Sequence, residues 1–345
     1  MYKHLIRPVL FCFDAEKVHY FVGFLLRHLT RCPLIVRLCK KLFTVEHPAL
    51  HRNLFGLHFP NPVGVAAGFD KEGLLYNALS CFGFSHVEVG TVTPKGQPGN
   101  PKPRIFRLPD DGALINRMGF NNHGVDILAE NLRRNKPKLI VGGNIGKNTL
   151  TPNHEAIGDY CRSFEVLFDL VDYFVVNVSC PNIANLTKLQ DKDELLSLLN
   201  AIQNLNKSMP SPKPVLLKIA PDLNEIQLDE IIEIVLETGL NGIIATNTTT
   251  TRSNLNSPVS KVEKIGNGGL SGMPLTQRST EVIRYIHQRS EGKIPIIGVG
   301  GIIKPEDAIR KIQAGASLVQ IYTGFVYEGP FIAKRINKML LKNAR

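Results

Sequence analysis

The sequence predicts an α/β fold, a (β/α)8 TIM barrel preceded by an N-terminal amphipathic helical extension. Three observations predict it. From about residue 61 onward, eight short β-rich runs alternate with stretches of helical periodicity. Each run is apolar throughout rather than alternating, as strands buried on both faces of a parallel sheet are. The length, 345 residues, suits about two domains of roughly 150 residues, or one α/β barrel of about 250 with an added segment. A doubly wound open sheet is the alternative that the same alternation allows.

The expected strands are 63–67 (VGVAA), 86–91 (HVEVGT), 138–145 (KLIVGGNI), 173–178 (YFVVNV), 214–219 (PVLLKI), 242–246 (GIIAT), 295–299 (PIIGV) and 317–321 (SLVQI). Helices are expected near 71–82, 123–135, 154–171, 192–207, 225–238, 275–289, 305–314 and 330–342. Three long loops interrupt this rhythm: the Pro/Gly-rich 94–103, then 179–191, then 247–272, which ends in GNGGLSG. Loops of such length usually carry function or are disordered.

Ahead of the barrel, residues 1–43 hold eight Lys and Arg against Asp14 and Glu16, a net of +6 out of the chain's +11. Asp14 is placed to cap a helix, because its carboxylate can accept the first free N–H groups. After it Val18, Phe21, Val22, Leu25 and Leu29 recur on one helical face. Pro33 interrupts. A second short helix follows, with Leu34, Ile35, Leu38 and Leu42 apolar and Arg37, Lys40 and Lys41 polar. Two basic amphipathic helices suit either a membrane-surface anchor or packing on the main domain. The expected division is 1–45, a membrane-associating helical segment, and 46–345, the barrel.

Composition narrows the function. With 43% hydrophobic and 21% charged residues, the chain is neither disordered nor collagenous. No apolar stretch approaches the roughly 18 residues a membrane span needs. The six cysteines form no CxxC, so neither a zinc ribbon nor a dithiol motif is present. They are expected as free thiols in a reducing compartment. The ten histidines form no HxH or HExxH, and no metal is expected. Nucleic acid is not expected either, since few aromatics interleave with the basic residues.

In a barrel, the residues just past each strand's C-terminal end build the active site. Here they are Ala67, Gly68, Asp70 and Lys71; Thr91; Asn144; Asn177, followed by Ser179-Cys180-Pro181-Asn182; Lys218; Thr246-Asn247-Thr248; Gly300-Gly301; and Tyr322-Thr323. This rim is rich in amides and lysines, and Asp70 is its one acid. Amides offer donor and acceptor together, which suits a planar heterocycle with C=O and N–H edges. Lysines suit an anionic substituent or a developing negative charge. The glycines after the seventh and eighth strands lie where barrels commonly bind phosphate. Two motifs mislead. GGNIGKNT (142–149) is not a P-loop, because Val141 and Asn148 stand where Gly and Ser/Thr belong. GVGGII (298–303) lacks the last glycine of a dinucleotide fingerprint.

The strings AAGFDK (66–71), NRMGFNN (116–122), NVSCPN (177–182), KIAPDL (218–223), ATNTT (245–249), GGLSG (268–272), GVGGI (298–302) and QIYTG (320–324) fall in order on the strand ends. On them the chain resembles dihydroorotate dehydrogenase, specifically the quinone-linked, membrane-associated class 2 branch. The resemblance covers essentially the whole chain. It implies an FMN-containing barrel that oxidises (S)-dihydroorotate to orotate in pyrimidine biosynthesis and passes electrons to a membrane quinone. By position it implies FMN contacts at Ala67, Gly68, Lys71, Thr91, Asn144, Asn177, Lys218, Thr246, Gly272, Gly301, Tyr322 and Thr323. It implies substrate contacts at Lys71, Asn116, Arg117, Met118, Gly119, Phe120, Asn177, Asn182, Asn247 and Thr248. The base that takes the C5 proton falls on Cys180, with Ser179 as fallback. That is a departure, since the quinone-linked branch usually carries Ser there and the soluble class 1 branch Cys. A thiol is a far better base near neutrality than an alcohol. His19, Arg107 and Tyr322 match positions around the family's quinone tunnel, with Tyr322 between tunnel and flavin. The implied location is peripheral, on the cytoplasmic side of a bacterial inner membrane.

Overall fold

The computed structural model describes residues 2–179 and 192–343. The strands β1 Val63–Asp70, β2 His86–Val92, β3 Ile140–Ile145, β4 Tyr173–Asn177, β5 Val215–Ile219, β6 Gly242–Ala245, β7 Ile296–Val299 and β8 Leu318–Ile321 pair in parallel in chain order. β8 pairs with β1, so the sheet closes into a barrel. Closure removes the doubly wound alternative. Each strand overlaps its predicted run, and β1 continues to Asp70.

Along each strand the side chains alternate between interior and exterior. Ala66, Tyr173, Val175, Leu216, Ile244, Ile297, Val299 and Leu318 form one cluster inside the barrel. Val65, Val87, Val89, Phe174, Val176, Val215 and Leu217 belong to the larger cluster that also takes in the helices. Both sets are apolar, so the strands read as continuous runs. The interior is tight: a Cβ on Gly142 would stand 2.3 Å from the Tyr173 ring. A hairpin the sequence did not disclose, Arg52–Leu54 with Leu57–Phe59, places Phe59 in the interior cluster, with its ring centroid 5.3 Å from that of His86.

Most helices form as expected, including Val125–Arg134, Ala156–Leu167, Lys192–Ser208, Glu225–Thr238, Thr276–Arg289, Pro305–Gln313 and Ile332–Asn343. The helix expected over 71–82 shrinks to Tyr76–Leu79 followed by a 3-10 turn. Asp70 explains this. Its carboxylate accepts the backbone N–H groups of Leu74, Leu75 and Tyr76 at 2.7–2.8 Å, which holds the chain in a turn where a helix would otherwise start. Two loops carry small elements across the rim. Lys95–Gln97 pairs with Asn122–Gly124. Ile105–Leu108, Ala113–Asn116 and Gly269–Gly272 form a three-stranded antiparallel sheet. These short antiparallel strands lie inside loops, without the flanking helical periodicity that marks the equally short barrel strands.

Two short helical turns, Tyr2–Ile6 and Arg7–Phe11, precede the longer N-terminal helices, here α1 Ala15–Leu29 and α2 Pro33–Phe43. Asp14 caps α1 by accepting the Lys17 N–H at 2.9 Å. Glu16, the other early acid, is buried and holds Arg104 in a two-pronged pair, Nε to Oε2 at 3.1 Å and Nη2 to Oε1 at 2.7 Å. Burial works against the charge of Glu16, yet the hydrogen bonds and charges of Arg104 and Lys102 keep its carboxyl below the ordinary range. Gly23 lets α1 approach the barrel, since a Cβ there would meet the Leu75 side chain at 3.3 Å.

The predicted apolar stripe splits. Val18 and Val22 are half-buried, while Phe21, Leu25 and Leu29 point outward with Phe24. Leu34, Leu38 and Leu42 of α2 are exposed as well, Leu38 by 63%. The inward face of α1 is Glu16, His19, Gly23 and Leu26. A helical wheel cannot tell which side meets protein when both sides are partly apolar. Among the described residues no helix is long and apolar enough to cross a membrane.

Candidate active site

A cavity opens at the C-terminal ends of the strands. Of the expected cofactor contacts, Ala67, Gly68, Lys71, Thr91, Asn177, Lys218, Thr246, Gly272, Gly301, Tyr322 and Thr323 all line it. So do Asn116, Met118, Gly119, Phe120, Asn247 and Thr248. Asn144 sits behind the wall, fully buried. It accepts Thr91 Oγ1 at 2.5 Å and Asn177 Nδ2 at 3.3 Å. The side chain of Arg117 turns away: its guanidinium donates to the carbonyls of Ile265 and Asn267 and lies 4.6 Å over the Phe106 ring. Cys180 and Asn182 lie outside the described residues.

The amides form one network. Asn177 Nδ2 donates to Thr91 Oγ1 at 2.9 Å. Asn247 Nδ2 donates to Ser179 Oγ at 3.1 Å and to Asn177 Oδ1 at 3.4 Å. Tyr160 fixes the end of β4 by donating to the Asn177 carbonyl at 2.8 Å. Lys71 Nζ donates to Asn121 Oδ1 at 2.5 Å. These bonds hold the side chains against rotation, so a ligand meets preset donors and acceptors.

Two groups escaped the sequence reading. Glu88, on β2, is buried inside the barrel and pairs with Lys218 at 3.3 Å. Gln320, on β8, lines the cavity and donates to Glu88 Oε2 at 2.9 Å. The rim itself is poor in acids, but a carboxylate lies just beneath it. The run HVEVGT carries the signal: His86 and Glu88 alternate with Val87 and Val89 in a strand otherwise expected to be apolar on both faces.

The other end of the cavity is glycine-rich. Gly300 and Gly301 follow β7, and Gly272 and Thr323 line the cavity with them. Gly301 has φ +69°, and a Cβ there would lie 2.3 Å from the backbone N and Cα of Thr276. Only a bare backbone fits, and such backbone can bring N–H groups close to a phosphate. Gln320 Oε1 is buried with no hydrogen-bond partner among the described residues. An orphaned acceptor, two lysines, several amides and a glycine-lined end match the needs of FMN.

A second cavity of about 600 Å³ lies between α1 and the barrel. Its lining includes His19, Tyr20, Phe24, Phe69, Arg104 and Tyr322. It shares Gly68, Lys71, Ile105, Met118 and Tyr322 with the first. Burial, then the neighbouring charge of Lys71, lowers His19 to about 4, so its imidazole is neutral at neutral pH. Burial raises Tyr322 to about 12, keeping the phenol protonated. Arg107 does not line this cavity. It donates to the carbonyl of Phe13 at 2.6 Å and lies 4.6 Å over the Phe11 ring, tying the N-terminal segment down. Arg104 does line this cavity. Among the described residues no cluster of three or more His, Cys, Asp or Glu is placed to hold a metal.

The family model described as dihydroorotate dehydrogenase matches residues 49–343. The chain is 57% identical over 342 residues to the dihydroorotate dehydrogenase (quinone) of Christiangramia forsetii, covering 99% of each chain. It is 48% identical to the protein of the same name from Roseiflexus sp. strain RS-1, covering 99% of this chain and 94% of that one. Among solved structures, the DHODH of Eimeria tenella in complex with ferulenol is similar, with a TM-score of 0.86 and 37% identity over 96% of this chain and 91% of that one. The ligand-free form of that enzyme gives a TM-score of 0.81 at 37% identity, over 90% of this chain and 93% of that one.

Proposed function

The chain belongs to the dihydroorotate dehydrogenase family and is an oxidoreductase, and from that premise we propose that it oxidises (S)-dihydroorotate to orotate through bound FMN and hands the electrons to a membrane quinone. One observation carries this reading. Two cavities meet at Tyr322 and Lys71, one polar and glycine-ended, the other bounded by the N-terminal helix. That is the arrangement a reaction with two electron-transfer partners needs.

FMN, when bound, supplies the hydride acceptor for the substrate's C6. The chain's own residues do the rest. Gly300, Gly301 and Thr323 would hold the phosphate. Lys71 is suited to the substrate carboxylate, and Asn116, Asn177 and Asn247 to the C=O and N–H edges of the pyrimidine ring. Lys218 is suited to negative charge that builds up as hydride arrives. Cys180, three residues beyond Asn177, takes the C5 proton as general base. Asn182, two residues further along the sequence, is the remaining expected substrate contact. Ser179 is the alternative base, although its hydroxyl is already engaged with Asn177 and Asn247.

The quinone would enter the second cavity. His19, being neutral and with its N–H given to the Phe69 backbone, borders this cavity without adding charge. The exposed apolar faces of α1 and α2 would dip into the bilayer surface around this entrance. Arg27, Arg31, Arg37, Lys40, Lys136 and Lys138 line adjoining clefts that contain no acid, and they would face anionic headgroups. On this reading the protein is peripheral, and the expected location is the cytoplasmic side of a bacterial inner membrane.

Two measurements test this. Mixed anaerobically with dihydroorotate, the protein should lose its visible flavin band, and a water-soluble quinone should restore it. A yellow protein that does not bleach would retain the flavin and lose the substrate. In flotation with vesicles, the protein should bind membranes containing phosphatidylglycerol, and Phe21→Ser/Leu38→Ser should float less. Equal flotation of that variant would remove the helices from the membrane contact.

A further inference from the structure

Beneath the floor of the cavity lies a carboxylate that the reaction described above does not use. Glu88 projects into the barrel from β2 and is 0% exposed. Its Oε1 accepts Lys218 Nζ at 3.3 Å and Asn144 Nδ2 at 2.6 Å, and its Oε2 accepts Gln320 Nε2 at 2.9 Å. Lys218 and Gln320 line the cavity, whereas Glu88 does not. Asn144 in turn holds Thr91 and Asn177. One buried anion therefore orients two lining side chains directly, and two more through Asn144.

Its charge matters as much as its hydrogen bonds. Among the described residues Glu88 is the ion-pair partner of Lys218, whose side chain is only 6% exposed. In so dry a place, charges act on one another strongly. The ammonium faces the cavity, and the carboxylate stands behind it. Hydride arriving from substrate brings one net negative charge into the cavity. Lys218 attracts that charge and Glu88 opposes it. We propose that Glu88 is a positioning residue that sets the reduction potential of the bound flavin, by fixing Lys218 in place and offsetting part of its positive charge. The proposal rests on the flavin reading of this cavity.

Glu88→Gln isolates the charge. The new amide oxygen can still accept from Lys218 and Asn144. The new NH2 group would face Gln320, whose Oε1 has no partner among the described residues. Gln320 loses its bond to position 88, while Lys218 and Asn144 keep theirs, so the negative charge is lost with the shape and the hold on Lys218 kept. The midpoint potential of the flavin in the full-length protein is read from its visible spectrum against a reference dye at pH 6. The expected result for E88Q is at least a tenfold gain in the ratio favouring the reduced flavin, a positive shift of about 30 mV for a two-electron couple. Glu88→Asp keeps the charge but draws it back from Lys218, and is expected to shift the potential the same way by less. It stands in for E88Q should that variant not fold. A purely structural Glu88 would lower stability or flavin content without moving the potential of the flavin retained. Bound flavin with an unchanged or lowered potential would overturn the role of Glu88. A protein that neither carries flavin nor takes up added FMN would instead overturn the reading on which it rests.

Discussion

Cys180→Ala should slow reduction of the bound flavin by dihydroorotate about 10²–10⁴-fold, the usual contribution of a positioned general base. Flavin content should be unchanged, because no expected FMN contact is lost. Stopped-flow absorbance under anaerobic conditions reads both quantities. The pH profile separates a base from a bystander. An unperturbed thiol ionises near pH 8.5, and the thiolate is the form that can take the proton. The wild-type rate should therefore rise with pH and level off as the thiol ionises. Cys180→Ser should move the rise to higher pH, since an alcohol gives up its proton far less readily. If the serine variant kept the wild-type profile, Cys180 would not be the base and Ser179 would be left as the candidate.

Lys218→Met should destabilise the folded protein by about 3–5 kcal/mol, the usual cost of breaking a buried ion pair from one side. The reason is Glu88. With Lys218 gone, its carboxylate stays in the barrel interior with only the amides of Asn144 and Gln320 as donors. Adding Glu88→Gln should recover most of that loss, because the unpaired charge goes with it. Denaturant unfolding of flavin-free protein measures the four corners of this double-mutant cycle. If the two losses simply added, the pair would not be coupled in the way its 3.3 Å contact implies. The double variant should still bleach slowly with dihydroorotate, since stability is restored while the cavity's cation is not.

Much of this was legible in the chain. The apolar runs and helical periodicity marked the strands and most of the helices, because both signals are local and repeat several times within one element. Asp14 declared the start of α1 for the same reason: a cap acts on the three residues that follow it. The rim residues could be listed because a barrel puts every strand's C-terminal end at one mouth. Asp70 shows where this fails. It reads as a lone rim acid, yet its carboxylate is used by three backbone N–H groups and suppresses the helix expected beyond it.

The barrel, its order of elements and the residue types offered at its mouth are written in the chain. Short-range stereochemistry and periodic burial decide those. Tertiary structure alone decided which of these residues act together. Glu88 meets Lys218 across 130 positions of chain, and Glu16 meets Arg104 across 88. It turned Arg107 to the N-terminal segment and left Phe21, Leu25 and Leu29 outward. No local pattern encodes such pairings. They arise when the barrel closes and the helices dock, and they are held because a charge buried without its partner is too costly to keep.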